Sequence, residues 1–369
     1  MVRVRFYFEC KSVIAYRFKA MKSLISTVGT GALAAAALCS PAPHAGACSR
    51  VLYQGSDSLY VVARSLDWKT PIPTNLYVYP RGMDKESSNL PDALHWTSRY
   101  GAVYAVSYDG GITEGMNEKG LVVNGLFCKG TIYNDAKNPK PYQMSMAVFV
   151  AWILDQCATT QEVEELLRNS SFDIQGATFD GGTVSQLHWG VTDQTGRSIL
   201  FEFDHGEINI YDMGDYLAMT NDPEWPQMSA IINYWGKIGG KNMLPGTVSS
   251  PDRCVRANYY AHHVKMTGDA DLGVTIARSI IVGSCVPYSY EVPGEPELSS
   301  TQWRTYSNLR DLTYYFEKVT NPGYYYIDLK TLDLGKGAPV LKLDTSDTAD
   351  LVGNANKRLR KSEPFTPMY

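Results

Sequence analysis

This chain of 369 residues is short of several things, and each shortage excludes a class of function. Its alanine-rich apolar stretch, Leu24 to Leu38, spans about 15 residues, against the ~20 that a membrane-crossing helix needs, and Pro41 and Pro43 close it. There are only six histidines and no H-E-x-x-H among them. His262 and His263 are adjacent, and neighbours point apart on a helix, so they do not form a metal pair. No C-x-x-C occurs, which removes the common zinc and dithiol signatures. No Pro/Ser-rich linker and no internal repeat interrupts residues 48–369, so a single domain is expected there. Positive charge is not in excess either, and a chain of this balance repels phosphate backbones rather than gripping them.

What is present begins with a processing signal. Lys22 supplies a positive n-region, Leu24–Leu38 an apolar core, and Ala45-Gly46-Ala47 a small-residue ending of the type signal peptidase cuts after. Residues 1–47 therefore read as a signal peptide, with Met21 the better start and residues 1–20 an extended leader. A lipoprotein signal would carry Leu where Ala45 stands. The expected destination is the periplasm or the medium. Cleavage after Ala47 would make Cys48 the first residue, joining a thiol and a free α-amine on one residue. An N-terminal amine can activate its own side chain, so that residue would be nucleophile and base together. If the terminus stayed blocked, the chain would instead be a secreted, catalytically silent binding protein.

Removing residues 1–47 takes away six basic residues and one acidic, leaving 28 basic and 37 acidic, a net charge near −9. Five cysteines remain, Cys48, Cys128, Cys157, Cys254 and Cys285, and the odd number leaves at least one thiol unpaired. The 25 tyrosines favour strands and ligand pockets. Strand patterns recur at Leu59–Ala63, Ala102–Tyr108, Leu121–Leu126, Leu187–Thr192, Ile199–Phe203, Ile208–Tyr211 and Tyr324–Leu329. Helical spacing marks Ser145–Gln156, Thr160–Arg168, Arg253–Met266 and Leu272–Val282. Runs of strands with helices grouped between them indicate a layered α+β fold. From Asp344 onward the chain turns polar and reads as a wrapping or frayed tail.

Ser49–Tyr53 and Leu59–Ala63 read as a hairpin centred on Ser56. Paired positions would then sum to 112, setting Cys48 opposite Arg64. A guanidinium beside the thiol favours thiolate and keeps the amine unprotonated as a base. Asp67, just past the expected strand end, could orient the amine.

The spacing of Cys48, Arg64 and Asp67, with Trp68 following, resembles the choloylglycine hydrolase and penicillin V acylase family of N-terminal-nucleophile amide hydrolases. Gly115-Met116-Asn117-Glu118-Lys119-Gly120-Leu121 is similar to the family's G-[ML]-N-E-x-G-L segment. Leu187-His188-Trp189 with Asp193 and Gly196 resembles its strand-turn-strand signature. Thr220-Asn221-Asp222-Pro223 resembles T-N-x-P, and Leu244-Pro245-Gly246 with Ser249, Ser250 and Arg253 resembles L-P-G-x-x-S-x-x-R. The resemblance covers Cys48 to about Leu329. It implies a four-layer αββα sandwich of two antiparallel sheets, and no metal or organic cofactor. It implies Cys48 as nucleophile, Arg64 and Asp67 as its tuning and orienting partners, and Arg253 as electrostatic support. Asn221 would be an oxyanion donor worth about 3–4 kcal/mol.

One departure bears on substrate. Bile-salt-hydrolysing relatives carry Asn where this chain has Phe127, after Gly125-Leu126. A Phe127 N–H could still serve the oxyanion, but an aromatic wall with Trp68 suits a flat or long apolar acyl group. The expectation is therefore a linear-amide hydrolase acting on penicillin V-like or N-acyl-homoserine-lactone amides, with conjugated bile salts as the alternative. A small-molecule amide is the expected partner, without nucleic acid or membrane. A homo-oligomer is compatible with the resemblance. The 32 residues from Asn221 to Arg253 are fewer than the bile-salt branch uses for its tetramer loop.

Overall fold

A computed structural model describes residues 47–369, apart from 177, 180–182 and 294–298. The signal-peptide expectation for residues 1–46 falls outside the described residues. Two sheets stack face to face. The first has seven strands in the order Ala218–Met219, Ser49–Gln54, Tyr60–Trp68, Ser300–Asn308, Thr313–Lys318, Tyr325–Asp328 and Gly353–Asn354. The second has nine: Glu207–Asp212, Ser198–Asp204, Leu187–Thr192, Val122–Phe127, Gly111–Asn117, Ala102–Ser107, Thr74–Tyr79, Leu341–Leu343 and Arg360–Lys361. Neighbours pair antiparallel except at the Gly353–Asn354 edge. Helices α1 (Met146–Gln156) and α2 (Thr160–Arg168) cover the outer face of the second sheet. Helices α3 (Trp225–Ile238), α4 (Ser250–His263) and α5 (Ala270–Val282) belong to the layer over the first. This is the αββα sandwich.

Period-two alternation decides which layer each side chain joins. Val103 and Ala105 face inward between the sheets, while Ala102, Tyr104 and Val106 face α1. The outer core contains an aromatic cluster: Trp189 stacks on Phe201 at 5.4 Å, and Phe149 of α1 meets Trp189 edge-on at 4.9 Å. Ser145 caps α1 by accepting from the Ala147 N–H, and Thr159 caps α2 by accepting from Glu162. The helix expected from Arg253 starts three residues earlier because Pro251 suits a first turn, where its missing N–H costs nothing.

Two expectations need correcting, and two elements went unread. The first hairpin pairs at a sum of 114: Arg50 faces Arg64, and the loop is closed by Gly55 N–H to Leu59 O at 2.7 Å. Its second strand runs on to Trp68, so Asp67 lies within the strand, held by pairing with Thr301 on the far side. That neighbouring strand, Ser300–Asn308, went unread because its buried positions include Thr301, Thr305 and Ser307, which break the apolar alternation. Helix α3 was also missed. Its apolar positions are interrupted by Asn233 and Gly236, and three of its residues are buried. The tail from Asp344 pairs into both sheets, through Gly353–Asn354 and Arg360–Lys361, and near its end the Met368 N–H donates to the Gly110 carbonyl at 2.8 Å.

Candidate active site

Backbone register brings the expected residues together. Cys48 precedes the Ser49–Gln54 strand. On one side that strand pairs with Ala218–Met219, with Arg50 opposite Met219, and continuing this register sets Asn221 beside Cys48 across 173 residues. The Cys48 N–H donates to Asn221 Oδ1 at 2.7 Å. On the other side the hairpin returns Arg64. The corrected register keeps it useful, because Cys48 and Arg50 differ by two positions and so share a face. Arg64 Nη2 reaches Cys48 Sγ at 3.5 Å and the Gly125 carbonyl at 3.0 Å.

Arg253, from the first turn of α4, closes the site. Its Nη1 donates to the Cys48 carbonyl at 2.7 Å and Ser49 Oγ at 2.6 Å, and its Nη2 donates to Asn221 Oδ1 at 2.7 Å. With two donors on Oδ1, the Asn221 amide can only turn its Nδ2 outward, and one N–H of it goes to the Phe127 carbonyl at 2.7 Å. No second acceptor for that Nδ2 is found among the described residues. Burial lowers the Arg253 pKa against the pull of Asp67 and Cys48, since a charge without water is disfavoured.

Asp67 is the exception to this saturation. It is fully buried, and neither carboxylate oxygen has a partner in hydrogen-bond geometry among the described residues; the Ser65 and Thr301 hydroxyls are its polar neighbours, and that of Thr301 is spent on the Val286 carbonyl at 2.5 Å. Burial raises its pKa, opposed chiefly by the charge of Arg253. The Cys48 nitrogen, as a peptide nitrogen, has one hydrogen, and that goes to Asn221 rather than to Asp67. Trp68 and Phe127 meet edge-on at 5.9 Å and form one wall of a cleft with Cys48, Arg64 and Asp67 at its base. Ile72, Ile112, Met146 and Leu187 complete an apolar lining, so all seven residues read from the sequence converge on one place.

Two groups of buried polar side chains were given no role from the sequence. Glu114, wholly buried, pairs with Arg64 Nε at 3.3 Å and accepts from Thr305 Oγ1 at 2.6 Å and the Tyr314 hydroxyl at 2.8 Å. Arg64 also lies over the Trp303 ring at 4.6 Å. A charged residue in the middle of an otherwise uncharged strand, Gly111–Asn117, was the available signal. The other group is Cys128, His188 and Glu202, whose donor atoms lie within 4.8 Å of one another. Its bonding does not fit a metal site. Both His188 nitrogens face acceptors, Glu202 at 3.0 Å and the Thr220 carbonyl at 2.8 Å, and both Glu202 oxygens accept from the Trp225 N–H. Each of the five cysteines among the described residues is unpaired.

A buried thiol flanked by a guanidinium, an asparagine amide and a buried carboxylate thus sits on an αββα sandwich. The sequence model described as "Linear amide C-N hydrolases, choloylglycine hydrolase family" matches residues 48–352, so the chain belongs to that family. It is an enzyme family that hydrolyses linear amide C–N bonds in small acylated molecules. A penicillin V acylase of Pectobacterium atrosepticum is 32% identical over 343 residues, covering 86% of this chain and 91% of that protein. The solved penicillin V acylase of Agrobacterium tumefaciens superposes with a TM-score of 0.79 at 36% identity, covering 87% of this chain and 99% of that one. A conjugated bile acid hydrolase of Clostridium perfringens shares the fold at a TM-score of 0.67 and 19% identity.

Proposed function

We propose that this is a secreted or periplasmic acylase that becomes active when cleavage after Ala47 frees the Cys48 α-amine, and that it cleaves amides with an aromatic or long apolar acyl group. The observation that carries this reading is the unsatisfied Asp67 carboxylate at the base of the cleft that Cys48 lines. A peptide nitrogen has one hydrogen and spends it on Asn221. An α-ammonium has three, so the extra donors would satisfy a carboxylate that is otherwise costly to bury.

In this mechanism the Cys48 thiolate attacks the amide carbon, and the Asn221 N–H not engaged by Phe127 receives the developing oxyanion. Arg64 stabilises the sulfur anion. The α-ammonium gives a proton to the leaving amine as the C–N bond breaks, producing a thioester. Water, deprotonated by the same amine, then releases the acid and restores the thiol. Asp67 orients the amine, and Arg253 holds both Asn221 and the Cys48 carbonyl in place. The Trp68–Phe127 wall favours phenoxyacetyl or fatty-acyl amides over conjugated bile salts. A bile-salt preference is the alternative within the family, and a silent binding protein is the alternative outside it.

Intact-mass and N-terminal analysis of the exported protein should show a chain beginning at Cys48. Cys48→Ala should abolish hydrolysis of penicillin V, an N-acyl-homoserine lactone and a conjugated bile salt alike. An active chain that begins elsewhere, or an active alanine variant, would end the mechanism.

A further inference from the structure

The family-like segment Leu187-His188-Trp189 contains one residue that the mechanism leaves unused. His188 is buried on the inner face of its strand, and the register that sets Trp189 opposite Phe201 sets His188 opposite Glu202. One ring nitrogen meets Glu202 Oε1 at 3.0 Å, and the other meets the Thr220 carbonyl at 2.8 Å. With Glu202 ionised, the carboxylate and the carbonyl only accept, so both nitrogens donate and the ring is an imidazolium, with the Cys128 sulfur as a third polar neighbour within 4.8 Å. Thr220 directly precedes Asn221. On the far side of Asn221, the Glu202 carboxylate accepts from the Trp225 N–H at the start of α3. The ion pair therefore holds the loop that carries Asn221 at both ends, and ties it to the second sheet. Ser250 holds it from α4, accepting the Asn221 N–H at 2.9 Å.

We infer that His188, charged and paired with Glu202, is a positioning residue that aims the Asn221 amide at the reacting carbonyl. It is not itself a lining residue of the cleft, and its ring bonds go to Glu202 and Thr220 rather than to Cys48, so it acts through the Thr220 carbonyl. This inference rests on the reading of Asn221 as oxyanion donor. An amide donor helps only when aimed at the place where charge develops, and a small misplacement costs rate rather than binding. Losing the imidazolium should therefore lower kcat and leave KM nearly unchanged.

The test is a double-mutant cycle on the mature enzyme, with penicillin V as the probe. His188→Gln should lower kcat about tenfold with KM within about twofold, and in an Asn221→Ala background it should cost less than about twofold more. Additive losses, or an unchanged kcat in His188→Gln, overturn the proposal. A fully active Asn221→Ala would instead overturn the oxyanion role of Asn221. Glu202→Gln keeps the size and an acceptor for Trp225, and should show the same coupling at smaller amplitude. Nitrogen-15 histidine spectra of the unmutated enzyme give a readout that needs no variant. His188 should carry protons on both ring nitrogens at neutral pH, and a single ring proton there would overturn the proposal even if neither variant folds.

Discussion

Glu114→Gln isolates how much the Cys48 thiol, the proposed nucleophile, depends on a buried charge one layer away. Glu114 and Arg64 are both within 1% of complete burial, with Nε and Oε2 3.3 Å apart. At an effective dielectric of about 20, that separation gives about 5 kcal/mol of attraction. Glutamine keeps the oxygen that accepts from Thr305 and Tyr314. It loses the charge and turns an amide N–H2 toward the Arg64 Nε–H, donor against donor. Breaking a buried pair by neutralising one member costs about 3–5 kcal/mol, because the remaining charge is stranded. The lower figure applies here, since Asp67 still attracts Arg64. With an m-value of about 3 kcal/mol/M in urea for a chain this size, the unfolding midpoint should fall by about 1 M with m unchanged. Arg64 would also lose the hold that presents Nη2 to Cys48 Sγ, so kcat/KM should drop at least about tenfold. As a control, Thr305→Val removes one hydrogen bond, leaves the ion pair, and should cost only about 1 kcal/mol. A glutamine variant within about 1 kcal/mol of the parent and with full kcat/KM would refute the reasoning.

Two further outcomes are expected. Trp68→Ala and Phe127→Ala should each raise KM for phenoxyacetyl amides by about tenfold, the loss of one aromatic contact surface, while a short acetyl amide is little affected; equal effects on both substrates would show that the rings do not form the acyl wall. The second concerns pH. Burial alone would lower the His188 pKa, but the charge and hydrogen bonding of Cys128 and Glu202 outweigh it and hold it well above 6.5. A raised folded-state pKa stabilises the protein fully below the unfolded value, and that contribution is lost as pH rises through the folded value. Between about 6.5 and that folded value, the parent should lose up to about 1.4 kcal/mol per pH unit more than His188→Gln. Parallel urea-stability curves from pH 6 to 9 would exclude a charged His188.

The sequence by itself picked out the residues that the fold brings together around Cys48, because their motifs are local. A-x-A before Cys48 is the pattern behind the proposed cut, and Cys48, Arg64, Asp67 and Trp68 lie on or next to one hairpin. Short motifs such as Thr220-Asn221-Asp222-Pro223 keep their residue types wherever the fold puts them. Even the misplaced hairpin register did little harm, since a two-position offset returns side chains to the same face of a strand. Tertiary structure alone decided who steadies these residues. Glu114 meets Arg64 only when two sheets stack, and His188 meets Thr220 only when the second sheet presses on a loop leaving the first. Such contacts join residues far apart in sequence through burial and charge. No periodicity encodes them, because what makes a buried carboxylate or imidazolium tolerable is the partner that packing brings to it.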